Sequence, residues 1–526
     1  MTRIASRVSQ LHGEGALAVY ARAKELEREG RSIIHLELGE PDFHPAAPVV
    51  DAVRNAVAEG RDRYCSTRGV PALREAIADY LKRTRRVDAV EEQVLVAPGC
   101  KMALALAMMA LIEPGDEVLY PDPGFPIYPS FTRGLGATAV PFRLEEKNQF
   151  QPDMHEIARI ITPRTSVIIF NSPNNPTGTV FSKAALQKIA ELATKHDLWI
   201  LSDEVYARIL FSGEYESIRT LTGMAERTVI IDGFSKSFAM TGWRLGYAVA
   251  PVPVIDAMDL LVLNTFTCAA EFTQVAAIEA LRDSTNSVDT MVGEYRKRRD
   301  LFVAGLNRIP GFRCQAPDGA FYAWVNIEDT GLSAEEVQKL LLEEAGVAGI
   351  AGRAFGAGGK NYLRFSLVSA RNLLDEALER MQRASVHWRA EVSRQGQALW
   401  RQEMSTTTQP KHIAWKNVER EQLNPLIDRE MVVGDKIMLA RVLLKRGAHV
   451  PMHHHHNEQV TYILEGALKF AIDGKEVVVR AGEVLCIPSN MPHEAWALED
   501  TVDLDVFNPP REDWLNKTDD YLRHGR

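Results

Sequence analysis

The stretch that decides the fold is Val229-Ile230-Ile231-Asp232-Gly233-Phe234-Ser235-Lys236, followed by Ser237-Phe238-Ala239-Met240-Thr241-Gly242-Trp243-Arg244-Leu245-Gly246-Tyr247. Val229–Asp232 is a short run of mainly β-branched apolar residues, which predicts a buried strand. Lys236 then falls in the loop at the strand's carboxyl end, the edge where open α/β sheets bind ligands. Arg244 follows eight residues later, just before the next apolar run, Leu245–Val249. A lysine and an arginine at this spacing, taken alone, are as readily solvated surface residues. The rest of the chain has to decide.

Outward from this stretch, short apolar runs alternate with helical segments. Strands are predicted at Gln93–Ala97, Glu117–Tyr120, Ser166–Phe170, Trp199–Ser202, Val229–Asp232 and Leu245–Val249. Ala72–Arg83, Met102–Leu111 and Lys183–His196 carry helical periodicity between them. That alternation predicts an α/β fold with a mostly parallel sheet covered on both faces. Arg296–Ile309 reads as a helix leading into an α+β unit with strands Ala320–Ile327 and Tyr362–Leu367.

The 526 residues exceed what one core usually serves. With 46% apolar and 25% charged residues, the composition is that of a soluble globular protein. A formal net charge of −9 argues against nucleic acid or an anionic membrane as partner. The five scattered cysteines lack a C-x-x-C pair, and the N-terminus lacks an apolar leader core. Both point to a reduced, cytoplasmic chain.

Chemistry gathers at the predicted strand ends. Asp203 closes one strand within Ser-Asp-Glu-Val-Tyr, where a helix cap is the plainer reading. Asn171-Ser172-Pro173-Asn174-Asn175-Pro176-Thr177-Gly178 follows another strand, and could be only a rigid loop. Pro98-Gly99-Cys100-Lys101 ends a strand and opens a helix, whose first amides can hold a phosphate. A lysine, an acid, a phosphate cradle and an arginine together meet the needs of pyridoxal phosphate chemistry.

In this order, these motifs resemble the class I/II aminotransferases of the fold-type I pyridoxal-phosphate enzymes. The resemblance spans residues 1–385 and includes Ile34–Phe43 and Tyr64–Tyr80. It implies a large domain over about 45–290 and a small domain from 1–44 and 291–385. It makes Lys236 the Schiff-base lysine and Asp203 the partner of the pyridine nitrogen. Tyr206 and Asn175 would bond the ring's phenolic oxygen, and Phe125 would stack on the ring. Gly99, Cys100, Lys101, Ser235 and Arg244 would surround the phosphate. Tyr64 would reach the phosphate of a second subunit, which implies a homodimer. Arg364, with the backbone at Gly39, would take the substrate carboxylate. Lys101 either favours an acidic substrate side chain or only neutralises phosphate. Gly233 departs from the family, which commonly has Ser or Thr there, and removes one phosphate hydroxyl. Gly352–Lys360 is glycine-rich, but Asn361 follows the lysine, so it lacks the phosphate-loop spacing and reads as the loop before Arg364.

Near residue 385 the pattern changes. Val386–Glu403 is polar with a helical reading, Ser405–Pro410 is a small polar loop, and 386–411 is the predicted linker. Beyond it, Lys436–Leu444, Gln459–Leu464, Ala467–Ile472, Glu476–Arg480 and Val484–Ile487 alternate as strands between glycine turns. That predicts an all-β jelly-roll barrel over 412–526. Gly447 precedes His453-His454-His455-His456, and Gln459 keeps the parity of His453 and His455. Residues i and i+2 of a strand share a face, so His453 and His455 turn inward; a one-residue slip would turn out both. With Gly482–Pro488 and His493, this resembles the two cupin motifs, departing at Gln459 (commonly Glu) and Asn490 (commonly Gly). The resemblance implies His453, His455, Gln459 and His493 as ligands of a divalent transition metal of open identity.

The expected activity is transamination between an amino acid and a 2-oxo acid. Elimination, decarboxylation or racemisation on the same cofactor remains open. So does a bifunctional biosynthetic enzyme whose barrel acts on a linked intermediate, or a barrel that only stabilises or senses.

Overall fold

The computed structural model describes residues 4–13, 15–282, 284–385 and 412–523. The predicted linker, including the helical reading of 386–403, lies outside them. The chain divides into two compact units, Met1–Leu399 and Trp400–Arg526. Among the described residues no helix is long and apolar enough to cross a membrane.

The first unit is built on a seven-stranded sheet. Its spatial order is Val94–Ala97, Gly246–Val249, Thr228–Gly233, Trp199–Asp203, Thr165–Asn171, Glu117–Asp122 and Thr138–Arg143. Only Gly246–Val249 runs antiparallel to its neighbours, pairing Val94–Ala97 on one side and Thr228–Gly233 on the other. The central strands are buried along almost their whole length, as double-covered sheets require. One face is covered by Cys100–Leu111 and Val252–Leu263, through Leu104, Met108, Ile255 and Met258. Lys183–Lys195 covers the other with Leu186 and Ile189, against Ile168 and Ile200. The Ser182 side chain caps that helix by accepting from the Ala185 amide.

The predicted helix at Arg296–Ile309 is the second half of a longer one, Ser284–Leu306. It leads to a four-stranded antiparallel sheet ordered Ile350–Ala351, Tyr362–Ser366, Tyr322–Asn326 and Arg313–Cys314. A short parallel pair, Ile34–His35 with Val347–Ala348, ties the N-terminal segment beside it. Gly352–Lys360 forms two short turns before the Arg364 strand.

The second unit is a cupin-type barrel of two antiparallel sheets. Six strands form one, in the order Arg420–Asn424, Ile427–Val433, Met438–Leu444, Thr501–Asn508, Glu458–Glu465 and Val484–Ile487. Four form the other: His449–His453, His493–Ala497, Ala467–Ile472 and Lys475–Arg480. Buried Arg429 bonds Asp519 and Glu421, and Arg523 bonds both as well, which ties the first strands to the C-terminal segment. Burial works against it, yet the bonds from Arg429 and Arg523 hold the Glu421 carboxyl down to about 2.

A group lowered from 4.5 to about 2 contributes stability above 4.5 and loses it as pH falls towards 2. Glu421→Gln is therefore expected to lower the barrel's melting temperature at pH 7. The gap to wild type should close between pH 4.5 and 2 in calorimetric scans; a gap that persists at pH 2 contradicts the assignment.

Candidate active site and candidate metal centre

The carboxyl ends of the central strands open into a cavity of about 340 Å³. It is lined by Gly39, Cys100, Lys101, Phe125, Asn175, Asp203, Tyr206, Ser235, Lys236, Arg244 and Arg364, residues contributed by separate segments along the whole first unit. Gly99 lies directly behind Cys100. Tyr64 is not among the lining residues, and 86% of it is exposed on the isolated chain.

Each side chain is held by its own support. Lys236 Nζ donates to the Gly39 carbonyl. Arg364 Nη1 donates to Asn175 Oδ1 at 3.0 Å and Nη2 to the Glu37 carbonyl. Its guanidinium lies between the Tyr322 and Phe355 rings, 4.4 and 4.7 Å from their centres, which fixes the plane of the fork. The Asn175 amide donates to Asn171 Oδ1, and Asn171 Nδ2 donates to the Asp203 carbonyl, so neighbouring strand ends are locked together. Lys101 Nζ sits 5.8 Å over the Phe125 ring.

Two tyrosines to which the sequence reading assigned no role also line this site. Tyr128 donates to Asp203 Oδ2 at 2.6 Å, while the Val205 amide donates to Oδ1. Tyr322 shares a 2.8 Å hydrogen bond with Tyr206 through their hydroxyls. Tyr128 closes the Pro-Gly-Phe-Pro-Ile-Tyr stretch that holds Phe125, and nothing local pointed to Tyr322. Burial pushes the Asp203 carboxyl up to about 6, against the pull of the Tyr128 and Val205 bonds. Such a carboxylate lacks a cation, and a protonated ring nitrogen would supply one.

The remaining end of the cavity fits a phosphate. Cys100–Leu111 begins there, and its N-cap Gly99 (φ 90°) brings no side-chain cap, leaving the first amides open. A Cβ on Gly99 would meet Arg244 Nη2 at 2.5 Å, so the glycine lets the guanidinium lie across the helix start. At Gly233 the structure explains the departure from the family. A Cβ there would lie 2.6 Å from the Gly246 Cα, 2.7 Å from Cys100 Sγ and 2.9 Å from the Leu245 carbonyl oxygen, so backbone and thiol together fill the space a serine would need. Burial pushes the Cys100 thiol up and keeps it protonated. The donor set, the open helix start and the cation-seeking Asp203 together fit pyridoxal phosphate.

In the barrel, one ring nitrogen each of His453, His455 and His493 lies within 4.8 Å of the other two. Nδ1 of each bonds a backbone carbonyl: Pro451 (2.9 Å), Asn457 (3.0 Å) and Met491 (2.8 Å) respectively. A carbonyl only accepts, so Nδ1 carries the proton and Nε2 is the lone-pair donor. Gln459 Nε2 donates to Asp505 and Thr461, which points Oε1 at His455 Nε2, 3.1 Å away. Burial, with His493 next, pushes His453 down to about 3; burial and then Arg511 push His455 to about 4. Both are neutral imidazoles at neutral pH, the form that binds metal.

His454 and His456 are exposed, and His449 stacks on Trp496 outside the cluster. The strand ends at His453, so His455 turns inward from the following bend rather than from strand alternation. Asn490 has φ 61°, the left-handed conformation that explains why glycine is common there and why asparagine is tolerated.

The family model for aminotransferase class I and II matches residues 31–381, and that for the cupin domain matches residues 440–508. The chain is 38% identical to an arginine–pyruvate transaminase of Pseudomonas aeruginosa over 381 residues, covering 72% of this chain and 97% of the relative. It is 38% identical to an aspartate aminotransferase of Pyrococcus horikoshii over 383 residues, covering 72% and 97%. Among solved structures, it superimposes on an aspartate aminotransferase of Thermus thermophilus with maleate at a TM-score of 0.70 and 36% identity, covering 73% and 100%. The chain belongs to the class I and II aminotransferases, as a pyridoxal-phosphate-dependent transferase with a cupin domain at its C-terminal end.

Proposed function

We propose that the first unit transfers an amino group from an amino acid to a 2-oxo acid. The observation that carries this reading is the convergence of Lys236, Asp203 and Arg364 on one cavity. When bound, pyridoxal phosphate supplies an electron-accepting ring that acidifies the substrate Cα–H bond. Lys236 Nζ carries the cofactor and then moves the proton taken from Cα. Asp203 holds a proton on the ring nitrogen, with Tyr128 and Val205 fixing both of its oxygens. Tyr206 and Asn175 bind the phenolic oxygen, while Phe125 covers the ring and limits water. The amides of Cys100 and Lys101, with Ser235 and Arg244, hold the phosphate. Arg364 clamps the substrate carboxylate as a planar fork beside Gly39. Tyr64, exposed on the single chain, would complete the phosphate site of a partner in a homodimer.

For the second unit we propose a divalent transition metal held by the Nε2 atoms of His453, His455 and His493 with Gln459 Oε1. Neutral imidazoles with Nδ1 already bonded support this. Residues 386–411 are the linker in this scheme.

Wild-type protein supplied with pyridoxal phosphate is expected to show a visible absorption band that Lys236→Ala abolishes. One or more amino acids in a panel should bleach it as the cofactor takes up the amine. A band that no amino acid bleaches contradicts transamination.

Tyr128→Phe removes a hydrogen bond to a charged carboxylate, an interaction of about 1.5–3 kcal/mol. Its cofactor dissociation constant, read by fluorescence, should rise roughly ten- to a hundredfold. An unchanged constant would show that Tyr128 does not support Asp203.

His493→Ala should lower the metal content of purified protein, measured by elemental analysis, to a small fraction of the wild-type value. Pyridoxal phosphate binding should be untouched. Equal metal content in the two proteins contradicts the assigned centre.

A further inference from the structure

We infer that the barrel interior is also a binding site for a small carboxylate anion, which Arg511 receives beside the histidine cluster. Arg511 is 1% exposed, yet it lines the same cavity as His453, Gln459 and His493. One edge of its guanidinium is fully used: Nε and Nη2 donate to the two oxygens of Asp513 at 2.9 and 2.6 Å, and Nη2 also donates to the Tyr521 hydroxyl at 2.9 Å. The other edge is not. Nη1 is buried and has no hydrogen-bond partner among the described residues.

A buried guanidinium nitrogen without an acceptor costs free energy that the fold would not retain idly. Asp505 feels the Arg511 charge, but neither acid sharing the cavity makes a hydrogen bond to it. Asp505 accepts from Gln459 and Thr461, and Asp503 makes no bond to Arg511. The group itself is rigidly aimed, because its plane packs over the Phe507 and Trp514 rings at 5.4 and 4.9 Å.

Position and size define the ligand. The Tyr521 ring that receives Nη2 stacks on His453 with 4.6 Å between centres, so the guanidinium stands one ring away from the cluster. The cavity is only about 50 Å³, and Leu423, Val450, Phe470 and Trp514 form much of its wall. A carboxylate with a tail of one or two carbons matches an acceptor-seeking guanidinium in a small chamber whose wall is part apolar and part polar. A phosphorylated or bulky ligand does not. Acetate and pyruvate have the right chemistry, and pyruvate belongs to the 2-oxo acids. The inference stands apart from the proposed transamination and from metal binding.

The test is calorimetric titration of the full chain, loaded with pyridoxal phosphate, with pyruvate. It uses an Arg364→Gln background so that the first unit's carboxylate clamp is removed. One pyruvate per chain is expected to bind, and Arg511→Gln in that background should weaken it about ten- to a hundredfold. Arg511→Lys keeps the charge and the Asp513 pair but loses the fork, and should weaken binding at least about tenfold. It decides the matter if Arg511→Gln does not fold. No heat in the Arg364→Gln parent means that water alone fills the chamber, and overturns the proposal. So does pyruvate binding that neither Arg511 variant alters, or inorganic phosphate binding as tightly as pyruvate.

Discussion

One buried guanidinium holds the first unit's site in register. Arg85 is almost wholly enclosed and bridges Glu204 at 3.0 Å and Asp232 at 2.5 Å. Those two acids sit at the ends of adjacent parallel strands, one residue past Asp203 and four residues before Lys236. Tyr247 adds a hydrogen bond to Asp232 from the antiparallel strand on the other side. The ion network thus pins three strand ends beneath the cavity floor. Removing one member of such a buried network typically costs ~3–5 kcal/mol, because the remaining charges are stranded. The positions of the acid and of the lysine are set by a common support, so their separation does not depend on the loops that carry them.

The barrel follows the same logic with different means. Its interior is polar where a small domain would ordinarily be apolar: Arg429, Asp503, Asp505 and Arg511 are all buried. Asp505 accepts from Gln459 and so orients its amide, while Arg429 pairs with Asp519 and Glu421. Burial pushes the Asp505 carboxyl up to about 6, and for Asp503 burial and then Asp505 push it well above its usual range. Such an interior is costly for stability.

The sequence carried the layout of the first sheet because its central strands are short, apolar runs ended by loop residues. It could not carry their directions. Gly246–Val249 is buried on both faces like its parallel neighbours, so its reversed sense left no mark in the pattern. Thr138–Arg143 went unseen because an edge strand with exposed residues and a proline has no strong alternation. In the barrel, Thr501–Asn508 buries Thr501, Asp503, Asp505 and Phe507 and turns Val502, Leu504 and Val506 outward. Its polarity is inverted, so a search for apolar-in alternation passes over it. The motif residues of the first site were legible because chemistry fixes their type and spacing. Tyr128 and Tyr322 were not, since each bonds a partner remote in sequence.

The packing around Gly233 leaves no room for a side chain from either direction. A Cβ there would meet Cys100 Sγ at 2.7 Å and, from the neighbouring segment, the Gly246 Cα at 2.6 Å and the Leu245 carbonyl oxygen at 2.9 Å. Trimming Cys100 would relieve only the first of these contacts and would leave a void beside the helix start. The glycine is thus a condition of how closely the lysine-bearing strand end, the reversed strand and the helix start approach one another, and a serine could stand there only if the backbone itself moved apart.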